Sequence, residues 1–193
     1  MKNRFIEIFK RDIKREGADK FLDWLLTTDF FNAPASSNFH SAYKGGLCEH
    51  SLKVYDRFEQ LLKYQFGDDF EKNFSRESLA ICALLHDVCK VDTYKEDLKN
   101  VKKDGSWIQV PFYSVRELLP YGHGEKSVYI INGFMRLTRE EAMIINWHMG
   151  GFDLRVKGGS YALSDVFYAY PTAVLLHTAD MHATYFDETR PER

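Results

Sequence analysis

Three stretches of the chain place a histidine in an otherwise apolar run: Ala80-Ile-Cys-Ala-Leu-Leu-His86, Met143-Ile-Ile-Asn-Trp-His148 and Ala173-Val-Leu-Leu-His177. Such a run carries its imidazole into the interior, where a polar group without a partner costs roughly 1–3 kcal/mol. A single case is readily met by a backbone carbonyl. Three cases on separate helices, two of them close in sequence to an aspartate (Asp87 and Asp180), are better met by a ligand they share. Any fold for this chain must therefore bring helices that are distant in sequence around one polar centre. All seven histidines (His40, His50, His86, His123, His148, His177 and His182) fall between residues 40 and 182, and none lies in the N-terminal part.

Apolar periodicity predicts helices over most of the chain. Residues 2–15 set Phe5, Ile6, Ile8, Phe9 and Ile13 among charged residues, and Gly17 separates them from a short helix with Phe21, Leu22, Trp24, Leu25 and Leu26. Loop chemistry follows over residues 32–38. Gly45-Gly46 opens a long helix to about Phe66, and Ser75 suits the N-cap of a helix that runs to His86-Asp87. Thr138 and Glu141 have capping-box spacing ahead of the helix that carries His148. Pro171 precedes a last helix, Ala173 to Phe186. Residues 98–115 depart from this pattern, because Asp104-Gly105 divides two stretches of alternating apolar residues, a hairpin signal with Pro111 at an edge. The expectation is an all-α bundle with a small inserted β-hairpin near 98–115. It forms one domain, in which residues 1–37 are accessory helices and residues 38–187 the core.

Charge narrows the partners. A net charge of −2 gives no general attraction to duplex nucleic acid or anionic membrane, and leaves small phosphorylated substrates open. No apolar run approaches the roughly 20 residues needed to span a bilayer. Cys48, Cys82 and Cys89 lack a CxxC spacing and read as reduced, mostly buried thiols of a soluble cytoplasmic protein. A mixed set of imidazoles and carboxylates suits a divalent ion such as Mn²⁺, Fe²⁺ or Mg²⁺, whereas a structural zinc site would call for thiolates. His177 and Asp180 share a helix face, so His177 either reaches such an ion or orients Asp180.

His50, His86-Asp87 and Asp180 resemble the H…HD…D signature of the HD-domain metal-dependent phosphohydrolases. Their contexts also match: Gly45-Gly-Leu-Cys-Glu-His50, Leu84-Leu-His-Asp-Val-Cys-Lys90 and Leu176-His-Thr-Ala-Asp180. The resemblance implies a helical HD fold, phosphate-ester hydrolysis and one or two divalent ions. One ion would be held by His50, His86, Asp87 and Asp180, and a second by Asp87, His123 and His148. Met149 stands where some relatives carry a further histidine. Asp87 would also orient the attacking water, and Lys90, at the family's lysine position, would meet phosphate.

Weaker substrate-side candidates are Tyr43, Lys44 and His40 before the first ligand helix, Lys126 after His123, and Arg155 or Lys157 after His148. Each also reads as an ordinary surface group. The favoured substrate is a nucleotide or small phosphodiester. Relatives that trim RNA from its 3′ end make single-stranded nucleic acid an alternative. However, the aromatics of 98–115 do not interleave with Lys99, Lys102 and Lys103 as a stacking platform would. A di-iron oxygenase has the same ligand order, and iron content and oxygen uptake separate it from a hydrolase. A silent sensor or a purely structural protein leaves the complete ligand set unexplained. The accessory helices serve either as a homodimer contact or as a cap on the core.

Overall fold

A computed structural model describes residues 1–38, 41–103 and 105–188. His40 and the Asp104 of the expected hairpin turn lie outside the described residues. The chain is mostly helical, as expected, and its elements follow the apolar periodicity closely. Helix α1 (Lys2–Asp12) and α2 (Ala18–Thr27) precede the long α3 (Gly46–Phe66) and α4 (Arg76–Leu85). Strands β1 (Tyr94–Lys103) and β2 (Ser106–Val115) come next, followed by α5 (His123–Asn132), α6 (Arg139–Asn146), α7 (Leu154–Lys157), α8 (Ala162–Ala169) and α9 (Thr172–His182). A π-helical turn, Ala183–Asp187, continues from α9.

Helix α3 is the spine. It packs on α4 and on α9, while α6 bridges α4, α5 and α9. The accessory helices are a cap on this core. Phe5, Ile8 and Phe9 of α1 and Phe21, Leu22 and Leu25 of α2 are buried in the same apolar cluster as Leu47, Phe58, Leu84 and Leu176. Fully burying side chains of this size contributes about 1.5–3 kcal/mol each, so the cap is held firmly.

Three helix ends differ from expectation. Helix α1 stops at Asp12 rather than near residue 15, because the backbone N–H groups of Lys14 and Arg15 turn out to donate to Glu77 Oε1 at 2.7 and 2.9 Å. Helix α6 ends at Asn146, so His148 lies just beyond the helix expected to carry it, in the turn that enters Gly150–Phe152. The backbone of Gly150 has φ +53, and a Cβ there would strike the His177 ring, so this turn needs glycine. Helix α9 gives way to the π turn after His182, short of Phe186. Helix α5, which begins at His123, has only a short apolar pattern and was not expected.

The hairpin begins at Tyr94 rather than near 98. Its register pairs Lys103 with Ser106 and Leu98 with Pro111, and Gly105 has φ +84. Both strands of a two-stranded ribbon are edges, so Pro111 interrupts no interior ladder. With two ten-residue strands, all-α describes the chain only approximately.

One buried ionic cluster ties the cap to the core. Arg15 forks onto Glu141 through Nη1–Oε2 at 2.7 Å and Nη2–Oε1 at 2.8 Å, and reaches Glu77 Oε2 at 3.1 Å. Glu141 also accepts from Ser78 Oγ at 2.7 Å and from the Thr138 N–H at 2.8 Å, which completes the expected capping box. Burial opposes the charged form of Glu141, but the Arg15 hydrogen bonds outweigh it and hold the carboxyl below its usual range. A lowered carboxyl pKa stabilises the fold above the unfolded-state value, and that contribution is lost as pH falls through the folded value. Removing the guanidinium strands a buried carboxylate, so Arg15→Ala should cost about 3 kcal/mol in urea unfolding at pH 7. The gap to wild type should narrow as the carboxyl protonates in acid. A neutral-pH loss below about 1 kcal/mol, the range of an exposed pair, would contradict the assignment.

Candidate metal centre

Five separate parts of the chain meet at one point. Helix α3 supplies His50 from its second turn, and the end of α4 supplies His86 and Asp87. His123 opens α5, His148 follows α6, and Asp180 lies on α9. His50, His86, Asp87 and His148 are buried. His50 Nε2 stands 3.2 Å from His86 Nε2, 3.3 Å from Asp180 Oδ1 and 3.6 Å from Asp87 Oδ2. Donor atoms held about 2.0–2.2 Å from one ion at right angles are roughly 3 Å apart, so these spacings suit a common cation.

The orientation of the rings makes the fit specific. His86 Nδ1–H donates to the Ala83 carbonyl at 2.8 Å, and His148 Nδ1–H donates to the Ile145 carbonyl at 2.6 Å. A carbonyl only accepts, so each ring carries its proton on Nδ1 and turns the Nε2 lone pair inward. His148 Nε2 is buried with no hydrogen-bond partner among the described residues and faces Asp87 Oδ1 at 3.5 Å. His86 Nε2 faces Asp87 Oδ2 at 3.6 Å. Lone pairs facing carboxylate oxygens repel unless something positive lies between them. Three overlapping groups have donor atoms within 4.8 Å of one another: His50–His86–Asp87, His86–His148–Asp180 and Asp87–His123–His148.

The titration of the cluster follows from the same contacts. Burial drives His86 down to about 3, against the pull of Asp87, and so keeps it a neutral lone-pair donor. Burial also opposes charge on His50, but hydrogen bonds with Asp180 and Glu188 raise it to about 9. Asp180 is held well below the usual carboxylate range, chiefly by His50 acting against burial. Asp87 is likewise held low against burial, with the Lys90 charge as the leading cause. Lys90 Nζ donates to Asp87 Oδ2 at 2.5 Å, and His123 Nε2–H donates to Asp87 Oδ1 at 2.7 Å. Burial works against the His123 cation too, but the neighbouring Cys89 sulfur and Asp87 raise it to about 10.

The HD-domain family model matches residues 47–180, more than half of the chain and the whole span from His50 to Asp180. The chain belongs to the HD-domain family. This places it in a superfamily of metal-dependent hydrolases, and the buried His/Asp cluster fits an HD metal site. Comparisons with curated proteins and with solved structures return no match.

The HD signature residues and the two further histidines thus share one centre. A cavity of about 760 Å³ opens onto it, lined among others by His50, Asp87, Lys90, His123, Asp180 and Lys157. The remaining substrate-side candidates stand apart from that lining. Tyr43 and Lys44 are exposed outside it. Lys126 is buried and donates to Glu117 Oε1 at 2.8 Å and Thr93 Oγ1 at 3.4 Å. Arg155 is engaged by Asp153, Glu125 and Asn146, and lies 3.8 Å from the centre of the Trp147 ring. Among the described residues His177 belongs to none of the three donor groups and has no hydrogen bond to Asp180; its Nδ1–H donates to the His148 carbonyl at 2.7 Å and so braces the His148 turn.

Other residues at the site escaped the sequence reading. Tyr94, Phe152 and Tyr185 line the cavity, and Glu188 touches His50. Cys89 lies beside His123, with Sγ 3.5 Å from Nε2. The three cysteines are free and buried, as expected, and burial pushes the Cys48 thiol up to about 11.

His148 belongs to two of the three donor groups and His123 to one, so His123 is the residue that distinguishes one ion from two. In protein purified without chelator, His123→Ala should lower bound metal from two ions to one per chain, while Asp87→Ala should remove both. Elemental analysis with far-ultraviolet dichroism as the folding control checks this. An Asp87→Ala protein with the wild-type metal content would rule out the cluster as the binding centre.

Proposed function

We propose that this HD-domain chain hydrolyses a phosphate ester, of a nucleotide or a small phosphodiester, by attack of an activated water. The reading is carried by one juxtaposition: the cavity joins the His/Asp cluster to two lysines, Lys90 and Lys157, and to aromatic side chains. Its volume of about 760 Å³ lies in the range of small-molecule sites. His50, His86, Asp87 and Asp180 would hold one divalent ion, and Asp87, His123 and His148 another. Bound ions supply the Lewis acidity that makes water nucleophilic near neutral pH and offsets phosphoryl charge.

The chain's own groups supply the rest. Lys90, half-buried against Asp87, places a fixed cation where phosphoryl oxygens gain charge, as phosphoryl transfer requires. Asp87 offers a carboxylate oxygen to orient the attacking water, and the proton that the water gives up passes to the leaving alkoxide. The water oxygen bonds to phosphorus, the ester P–O bond breaks, and the leaving alkoxide takes a proton. Lys157, over the Phe152 ring at 5.8 Å, provides a second, exposed positive group in the lining. Tyr94, Phe152 and Tyr185 give a base or other flat group a wall on which to stack.

Manganese-loaded protein, assayed against a panel of nucleotides and short oligonucleotides, should release phosphate or nucleoside monophosphate with and without oxygen. Lys90→Ala should lower kcat roughly 100-fold, the usual effect of removing one transition-state donor. Turnover that requires oxygen would instead indicate an oxygenase. Turnover confined to oligonucleotides would replace the small substrate with a nucleic-acid strand.

A further inference from the structure

The outward nitrogen of His50 is held by a residue outside the matched family region. Glu188 Oε1 accepts from His50 Nδ1–H at 2.7 Å, and Glu188 Oε2 accepts from Ser41 Oγ at 2.8 Å. The Glu188 side chain is 0% exposed. Position 188 lies past the end of the family match at 180, and Ser41 lies before its start at 47.

The chain is shaped around this carboxylate at both ends. Ser41 is buried at φ +44, a left-handed conformation that costs a non-glycine residue on the order of 1 kcal/mol or more. Its carbonyl accepts from the Ala35 N–H at 3.0 Å. A Cβ on Gly46 would run into that same carbonyl, so the first turn of α3 is seated directly on the Ser41 loop. At the other end, the π turn carries the chain from Asp180 back to α3. There Arg57 Nε donates to Asp187 Oδ2 at 2.6 Å, next to Glu188. The Ser41 hydroxyl holds one oxygen of the carboxylate while the other accepts from the imidazole.

We propose that Glu188 is the positioning residue of His50. Its carboxylate holds a proton on Nδ1, so Nε2, which faces Asp180 and His86, is the nitrogen that gives up its proton to an incoming ion. The same bond stops the ring from turning. In His86 and His148 a helix carbonyl does this work, whereas the Nδ1 of His50 depends on a side chain from the C-terminal segment. That segment is therefore part of the metal centre. The inference rests on the reading of His50 as a metal ligand.

The test is Mn²⁺ affinity of the full chain, measured by calorimetry or by the electron-spin signal of free Mn²⁺, with thermal unfolding as the check on folding. Glu188→Ala should bind roughly 10–100-fold more weakly, as when other supports of ligand histidines are removed. Glu188→Gln keeps an oxygen for Nδ1–H and an amide for Ser41 Oγ, so it should restore affinity to within about threefold of wild type. Wild-type affinity in a folded Glu188→Ala would overturn the proposal, and so would a Glu188→Gln as weak as the alanine variant. A wild-type chain that binds no Mn²⁺ would instead bring down the metal-site reading, and the positioning role with it.

Discussion

At the centre of the molecule, two imidazoles have their outer nitrogens bound to backbone carbonyls, His86 to Ala83 and His148 to Ile145. Their inner nitrogens have only lone pairs to offer, and they face a buried carboxylate, Asp87. Nothing in that set can donate, so the arrangement demands positive charge. In the protein alone it comes from Lys90 and His123, which hydrogen-bond Asp87, and from the raised affinity of His50 for a proton. An incoming divalent ion would take over this role. An isolated ion buried at such a depth costs several kcal/mol, and the close ring of opposite charges offsets that cost.

The helical framework serves to hold this geometry. Because α3 packs against both α4 and α9, His50, His86 and Asp180 converge although they are far apart in sequence. The turn after α6 is fixed by the His177 ring lying where only a glycine, Gly150, leaves room. The short helical turn Val88–Lys90 is tied to α5 through the Cys89 N–H and Ser127 Oγ at 3.1 Å, which sets His123 opposite Asp87. The cap helices add apolar burial, and the Arg15–Glu141 fork ties the turn between them to α6.

Much of this was legible before any coordinates. Amphipathic periodicity locates most of the helices, and histidines within apolar runs identify the centre because a buried imidazole needs a partner. Asp104-Gly105 finds the hairpin, although its start at Tyr94 is set by pairing with Val115, a contact between residues distant in sequence. Charged residues were harder to place. Lys126 and Arg155 read as candidates for phosphate, but tertiary partners hold them: Glu117 for the first, Asp153 and Glu125 for the second. His177 shares a helix with Asp180, yet a carbonyl delivered by the neighbouring turn decides what it binds. Glu188 carried no local signal, since its meaning depends on a π turn that brings it back to α3. Periodicity records what a residue's own element needs, whereas polar roles depend on what another element brings.

The most direct measurement is anomalous diffraction from crystals grown with Mn²⁺. The account predicts a peak within bonding distance of His50 Nε2, His86 Nε2, Asp87 and Asp180, with both imidazoles oriented as described. A fully occupied Mn²⁺ elsewhere, with no peak at this cluster, would contradict it.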